Sequence, residues 1–489
     1  MIAARRRVSG KLIVIVLLLI ALIVPAFFGA HHEESDELGQ DLSLWLCLPF
    51  VGMLLSIAIV PLFKVHWWEK NLLNAAIGWS LVFLVPFAII YGPGQAGHDF
   101  YHAMLLDYLP FIVLLWGLFA VSGGIVVKGS LSGSPLVNTV LLAIGTVLAS
   151  CIGTTGASMV MIRPLLRANA WREKRAHIVV FFIFLVSNIG GCLTPVGDPP
   201  LFLGFLRGVP FFWTMRLAPI LALNVVVLLG VFFLMDRRLH GKEIAAGRWP
   251  ELPLDGSPKE RIRVYGLHNL AFLAGIVGAV ILSGILGQLD SWQDLGLPFF
   301  YGLKLPLNNV IQMVLIIICG ILSIMITNSE YHAANNFNWG AIQEVACLFI
   351  GIFVTMIPAL AILHARGDQL GLTEPWQFFW VTGGLSSFLD NAPTYLVFMT
   401  TAAALPTGAG ALTTTIGTIA PSLLLAVSAG AVFMGANTYI GNAPNFMVRS
   451  IAVQHDVKMP SFFGYMSWSG RFLIPLFLLD TVIFFVLLQ

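Results

Sequence analysis

Charge is what this sequence has least of. Only 10% of its 489 residues are Asp, Glu, Lys or Arg, against 58% hydrophobic, whereas an average soluble domain carries roughly 25% charged residues. That deficit excludes a water-soluble globular protein. Cysteine is also scarce, and Cys47, Cys151, Cys192, Cys319 and Cys347 show no metal-ligand spacing such as CxxC. They lie in apolar segments and read as small buried hydrophobes, with neither a disulfide framework nor a transition-metal centre. A net charge of +2 supplies no basic surface for nucleic acid. The short alternating segments of a membrane β-barrel are missing too, because runs such as Leu12–Phe28 and Leu221–Met235 are continuous. Each crossing of a bilayer core takes about 20 residues of helix, and runs of that length recur from end to end. The expected fold class is therefore an all-α membrane protein.

The few cations set the topology, since they collect on the cytoplasmic side. Arg5, Arg6, Arg7 and Lys11 precede the first apolar run and the acidic stretch His31–Glu37 follows it, which puts the N-terminus in the cytoplasm. Residues 1–30 read as an N-terminal helix or a signal peptide. Helices are expected near 44–63, 72–92 and 105–127, with Gly92–Asp99 as an outside loop. Segment 137–168 is interrupted at Ser150–Gly156 and flanked on both sides by cytoplasmic cations, Lys128 before it and Arg163 to Arg175 after it. A segment that enters and leaves on one side is a re-entrant hairpin, whose tip must lie in protein or in a water-filled cavity. A broken helix near 177–206 and a helix near 212–235 complete a first repeat over 44–235. The polar stretch 236–267, with Arg237, Arg238, Lys242, Arg248, Lys259, Arg261 and Arg263, is expected as a cytoplasmic linker. The second repeat, 268–489, then holds helices near 268–288, 308–328 and 340–364, a hairpin near 375–404 entering from outside, a broken helix near 412–452 and a last helix near 468–488. This gives about 11 transmembrane helices, two re-entrant hairpins and an outside C-terminus.

Self-similarity supports the division. Leu148-Ala-Ser-Cys-Ile-Gly-Thr154 aligns with Leu385-Ser-Ser-Phe-Leu-Asp-Asn391 at an offset of 237, and Gly191-Cys-Leu-Thr-Pro-Val-Gly-Asp-Pro-Pro200 aligns with Gly435-Ala-Asn-Thr-Tyr-Ile-Gly-Asn-Ala-Pro444 at 244. Pro219–Asn224 is echoed by Pro475–Asp480. Five crossings and one hairpin per half make the second copy inverted, the architecture in which secondary transporters hold their site near the midplane.

Polar, Gly/Pro-rich interruptions at Ser150–Ser158, Ser187–Pro200, Ser386–Thr394 and Gly435–Asn445 free backbone carbonyls beside hydroxyls and amides. A dehydrated sodium ion is a hard cation that wants such oxygens. Ser150, Thr154, Asn188 and Thr194 are candidates for one sodium site, and Ser387, Asn391, Thr438 and Asn442 for its symmetry mate. Asp198 and Asp390 stand out, because an ionisable residue inside a membrane is costly and marks function by default. Each can hold a proton or a bound cation, and that competition couples the two fluxes. The structural alternative is an Asp that caps a half-helix. Asp480 reads as a third titrating group or as the partner of a polar neighbour. Asp107 and Glu344 fall near membrane ends, where snorkelling is expected, and His177 reads as interfacial, with a pH-sensing role as the alternative.

At the runs Ser187–Pro200, Ser386–Thr394 and Gly435–Pro444 the chain resembles the ion transporter superfamily, and within it the NhaD-type sodium/proton antiporters with their arsenite-permease and citrate-transporter relatives. The resemblance covers nearly everything after the first helix. It implies a scaffold and a mobile transport domain, a homodimer, the bacterial cytoplasmic membrane, and no cofactor beyond transported sodium and protons. Carboxylate carriers of the superfamily resemble one another in Ser-Asn-Thr hairpin tips. Here the first tip reads Ser150-Cys-Ile-Gly-Thr-Thr155 and the second carries Asp390, which would repel an anion and suits a small cation. Sodium/proton antiport is therefore the first expectation and sodium-coupled citrate, dicarboxylate or other anion transport the second. An intramembrane aspartyl protease, the enzyme alternative, fits poorly. Pro358-Ala-Leu360 precedes Asp390, Pro195 stands where a GxGD pattern needs glycine, and a protease has no use for an inverted copy.

Overall fold

A computed structural model describes residues 39–128, 132–247, 263–293, 295–335, 337, 339–408 and 410–487. The expected N-terminal helix with its flanking charges, and Arg248, Lys259 and Arg261 of the linker, lie outside the described residues. The chain is an all-α membrane protein, with ten helical segments among the described residues long and apolar enough to cross a bilayer.

The first half begins with a 3-10 turn at Leu44–Cys47 and α1 (Leu48–Phe63), followed by α2 (Val65–Tyr91) and α3 (Pro93–His102). A π-helical turn over Ala103–Tyr108 carries α3 directly into α4 (Leu109–Ser122). Next come α5 (Pro135–Ile152) and α6 (Thr154–Ala168), then α7 (Ala176–Leu185) and α8 (Pro199–Leu206) on either side of a 3-10 turn at Ile189–Leu193, and finally α9 (Ala218–Ala245). The second half has α10 (His268–Gly287), a short α11 (Asp290–Gln293), α12 (Leu307–Ile326), a short α13 (Ser329–Ala334) and α14 (Gly340–Arg366). It continues through α15 (Pro375–Ser386) and α16 (Asn391–Ala403), then α17 (Pro421–Met434) and α18 (Ala443–Gln454) around a 3-10 turn at Gly435–Asn437, and ends with α19 (Phe462–Val482). Setting aside the two short helices, three crossings, a pair of helices joined by a short break (Gly153 alone in the first half, residues 387–390 in the second), a pair separated by a 3-10 turn and one long helix occur in that order twice.

The helices form two bundles. In one, α1 and α2 pack with α14, and α4 packs with α10 and α12. In the other, α5 packs on α6, α7 and α9, α15 lies along α17, α8 meets α16, and α18 meets α6. The bundles touch mainly through α4 against α6 and α14 against α16, so each half contributes the same kind of contact. The most enclosed crossing is Ala176–Leu193, with 89% of its residues buried, whereas Lys70–Tyr91 has 22%. An apolar helix gains little from leaving lipid, so this central position rests on packing and internal hydrogen bonds. Short antiparallel strand pairs close the ends. Val126–Lys128 pairs with Arg263–Tyr265, Gly296–Pro298 with Lys304–Pro306, and Leu412–Thr414 with Gly417–Ile419.

Local chemistry explains the breaks. Ser134 accepts from the Val137 amide and Pro135 opens α5, a strong start signal. The chain turns at Gly153 with φ +80°, ψ 150°, a conformation that only glycine adopts without strain, and α6 begins at the next residue. Proline heads α8, α15, α17 and α18 within their first turns, where its missing amide costs nothing. Glu374 and Gln377 form a reciprocal capping box at α15.

Several expectations need correction. The stretch Gly92–Asp99 is largely helical, because Pro93 starts α3 after Gly92 turns at φ +93°, and Gln95 bonds to Asp99 one turn on. The helix expected to end at 235 runs to Ala245. Its Asp236 and Glu243 are buried and bind Arg172, at 2.6 and 2.8 Å, so the helix keeps its polar partners inside and has no reason to stop. His177 is no interfacial residue. It is 3% exposed and lies 2.8 Å from Asp236. Asp107 does not snorkel but is buried against Arg207 at 2.8 Å, an ion pair that replaces the solvent it lacks, while Glu344 is exposed. The segment expected to be helical from 412 begins as a strand pair, and its helix starts at Pro421. Of the five cysteines only Cys192 is buried; Cys151 is exposed, and all five are free.

Candidate ion site

Asp198 lies where both halves meet. It is the N-cap of α8, in extended backbone, and is 1% exposed. Its Oδ1 accepts from the Thr154 hydroxyl at 2.8 Å and from Nδ2 of Asn442 at 3.2 Å, and its Oδ2 accepts from Nδ2 of Asn391 at 2.6 Å. These donors are the first residue of α6, the N-cap of α18 and the first residue of α16. Four helix N-termini therefore converge on one carboxylate, and each brings the equivalent of roughly half a positive charge. The residues also pair by repeat. Thr154 and Asn391 are equivalent at the offset of 237, and Asp198 touches its own equivalent at 244, Asn442.

On either side of this centre the same cradle is built twice. In the first, Ser150 Oγ donates to the Gly190 carbonyl at 2.5 Å and accepts from the Leu193 amide at 3.2 Å, while Thr194 Oγ1 donates to the Ser150 carbonyl at 2.5 Å. In the second, Ser387 Oγ lies 2.8 Å from the Gly383 carbonyl of its own helix and 3.1 Å from the Met434 carbonyl, sharing one hydrogen between them, and accepts from Asn437 Nδ2 at 2.9 Å, while Thr438 Oγ1 donates to the Ser387 carbonyl. Each partner in one cradle is the equivalent of its counterpart in the other. Both turns leave no room for a side chain, the first even less than the second. A Cβ on Gly441 would lie 2.6 Å from the Gly435 carbonyl oxygen, and one on Gly197 would lie 2.2 Å from that of Gly191.

The cradles differ in what is left unpaired. Asn391 Oδ1 and Asn437 Oδ1 are buried and have no hydrogen-bond partner among the described residues. A buried carbonyl oxygen without a donor costs about 1–3 kcal/mol, and a cation bound between such oxygens removes the penalty. Asp390 is half-buried at the tip between α15 and α16, where its Oδ1 accepts from the Ala392 amide at 3.0 Å. It caps α16, as the structural alternative required, and is also close enough to Asp198 for the two charges to interact. It stands at the position of Gly153 in the first half.

Of the expected site residues, Asp198, Thr154, Asn391 and Asn442 are in direct contact, and Asn188 joins them because Asn442 Nδ2 lies 3.3 Å from Asn188 Oδ1. Ser150 with Thr194, and Ser387 with Thr438, form the cradles. Asp480 is elsewhere, bonded to Asn224 of α9. Asn445 was not singled out from the sequence. It accepts from Asn188 at 2.7 Å and donates to the Gly435 and Thr438 carbonyls at 2.8 and 2.9 Å, so it ties the two breaks together. Its position three residues after Asn442, one turn into α18, was the available signal. Pro358, part of the protease-like tripeptide, sits inside the continuous helix α14.

The family described as "Putative citrate transport" matches residues 39–485 of the chain. A search of curated proteins found no match.

Proposed function

The chain belongs to this family of membrane transporters and is not an enzyme, and we propose that it exchanges sodium for protons across the cytoplasmic membrane through Asp198 and Asp390. The observation that carries the reading is the Asp198 carboxylate at the meeting of four helix N-termini. Ends of that polarity make an anion site, and here the protein's own side chain fills it. An exogenous carboxylate would have to displace Asp198 or sit beside its charge. A sodium ion or a proton instead neutralises it.

In this mechanism the cation takes the Asp198 oxygens together with the unpaired oxygens of Asn391 and Asn437, and the cradle carbonyls of Ser387 and Met434 stand ready as further hard ligands. Sodium binding requires the carboxylate to be free of its proton, so the two ligands exclude each other. Asp390 adds a second negative charge near the tip and favours cations over anions at the entrance. The scheme includes the inverted repeats, the two re-entrant hairpins at α5–α6 and α15–α16, a cytoplasmic linker, an outside C-terminus and a homodimer whose second bundle moves against the first.

The second reading, sodium-coupled citrate or dicarboxylate transport, draws on the family's description and on the positive helix ends, and needs Asp198 to be neutral when the anion binds. Everted vesicles separate the two. Antiport predicts that added sodium changes lumenal pH and that Asp198→Asn abolishes the change. Vesicles that give no sodium-dependent pH signal yet accumulate citrate when sodium is supplied establish the anion carrier.

A further inference from the structure

Among the described residues the buried acids have either several donors or a cationic partner, with one exception. Asp198 has three donors and four helix ends. Asp236 has Arg172 at 2.6 Å, His177 at 2.8 Å and Asn138 at 2.9 Å, and Asp107 has Arg207. Asp480, fully buried in α19, has one hydrogen-bond partner among the described residues. Both of its oxygens lie near the same nitrogen, Nδ2 of Asn224, at 2.9 and 2.8 Å, and that nitrogen also lies 2.8 Å from the Ile220 carbonyl oxygen. Two hydrogens are offered to three oxygens. Beside them Asn224 Oδ1, also buried, has no donor at all. Among the described residues no Lys, Arg or His is paired with Asp480 by a salt bridge.

A carboxylate confined in that way inside a bilayer-spanning helix is short of both hydrogens and positive charge, and such a group neutralises itself sooner than bear the desolvation. One proton repairs both shortages, because it removes the charge and adds a third hydrogen. We propose that Asp480 is a resident proton-binding site. Its carboxyl is a neutral acid paired with Asn224, and it keeps its proton while sodium binds to and leaves Asp198. The positions themselves point the same way. Asn224 and Asp480 are equivalents in the Pro219–Asn224 and Pro475–Asp480 echo, so the neutral acid faces a neutral amide across the contact between α9 and α19. The neutral state of the carboxyl does not depend on the identity of the transported ion; its retention during sodium binding rests on the proposed antiport.

Infrared spectroscopy of the purified chain in lipid, with carbon-13 aspartate, tests it. At neutral pH a protonated-carboxyl carbonyl band is expected that persists when sodium is added and is lost in Asp480→Asn. Asn224→Val, which takes away the carboxyl's partner, shifts the same band to higher frequency and identifies it even where Asp480→Asn does not accumulate. The proposal is overturned if no such band exists, or if sodium bleaches it in the wild type, since Asp480 would then exchange its proton with the cation. A folded Asp480→Asn protein that loses a sodium-driven pH signal present in the wild type overturns it as well. Should wild-type vesicles lack that signal, antiport fails while the infrared result still decides the state of Asp480.

Discussion

Replacing Asp198 by Asn asks whether the centre of the site is held as an anion. The amide keeps the shape and exchanges one oxygen for a donor. Placed at Oδ2, the new NH2 would point at Asn391 Nδ2, donor against donor at 2.6 Å. Placed at Oδ1, it meets Thr154, whose hydroxyl can turn and accept, and Asn442, whose amide retains the Ser187 carbonyl at 3.2 Å and Asn188 Oδ1 at 3.3 Å. The second orientation is the cheaper one. Two bonds then drop from charge-assisted to neutral strength, at about 1 kcal/mol each, and four helix ends lose an anion, at about 0.3–1 kcal/mol apiece. Asp198→Asn should therefore destabilise the protein by roughly 3–6 kcal/mol at alkaline pH, read as a lower apparent melting temperature in detergent. It should also erase stabilisation by sodium, which in the wild type reaches about 2.7 kcal/mol at a hundredfold excess over Kd. A variant that melts with the wild type at alkaline pH and is still protected by sodium refutes an anionic, ion-binding Asp198.

Asp390→Asn separates the cap from the charge. Asn caps a helix as well as Asp does, so the variant should melt near the wild type while its sodium-dependent pH signal disappears; an unchanged signal would reduce Asp390 to a cap. Gly441→Ala presses a methyl against three backbone oxygens, those of Gly435, Ser386 and Ser387, at 2.6, 2.7 and 3.1 Å. Backbone yields poorly, so a strain of about 1–3 kcal/mol should appear as a roughly fivefold or greater weakening of sodium activation in the vesicle assay, and wild-type activation would show that the second cradle does not hold the ion.

The interruptions that hold the candidate site were legible because a bilayer makes them expensive, with Thr154, Asn391 and Asn442 named from the aligned polar runs and Asp198 as an ionisable residue in an apolar segment. What the sequence concealed was pairing. Arg172 reads as one more cytoplasmic cation and Asp236 as the start of a linker, yet they meet across 64 residues, and no composition rule links them. The continuation of α9 past 235 follows from that meeting and not from helix propensity. Gly92–Asp99 has the residues of a turn, and only the side-chain bond from Gln95 to Asp99 with the proline start makes it a helix. Asn445 was hidden for a similar reason, since its value lies in a contact with Asn188 from the other half. Asp480 was visible as an acid in an apolar run, but its distance from Asp198 was not.

The repeat expected from the sequence would also account for the unequal placement of the two acids. Equivalent positions on the broken helices touch, because Asn442 Nδ2 lies 3.2 Å from Asp198 Oδ1. Two carboxylates there could not both ionise; they would share a proton, as like charges in one site do. A chain that carries two negative charges near the site must keep the second acid out of direct contact with the first, and the break between α15 and α16, aligned with Gly153, is a place where Asp390 can be charged and cap α16 together. Asn442→Asp tests this directly. The added acid should hold a proton against Asp198, so sodium activation should move to higher pH and higher sodium concentration than in the wild type. If the second acid instead improves sodium activation at neutral pH, the contact across the repeats does not limit the charge of the site, and the unequal placement of Asp198 and Asp390 needs another cause.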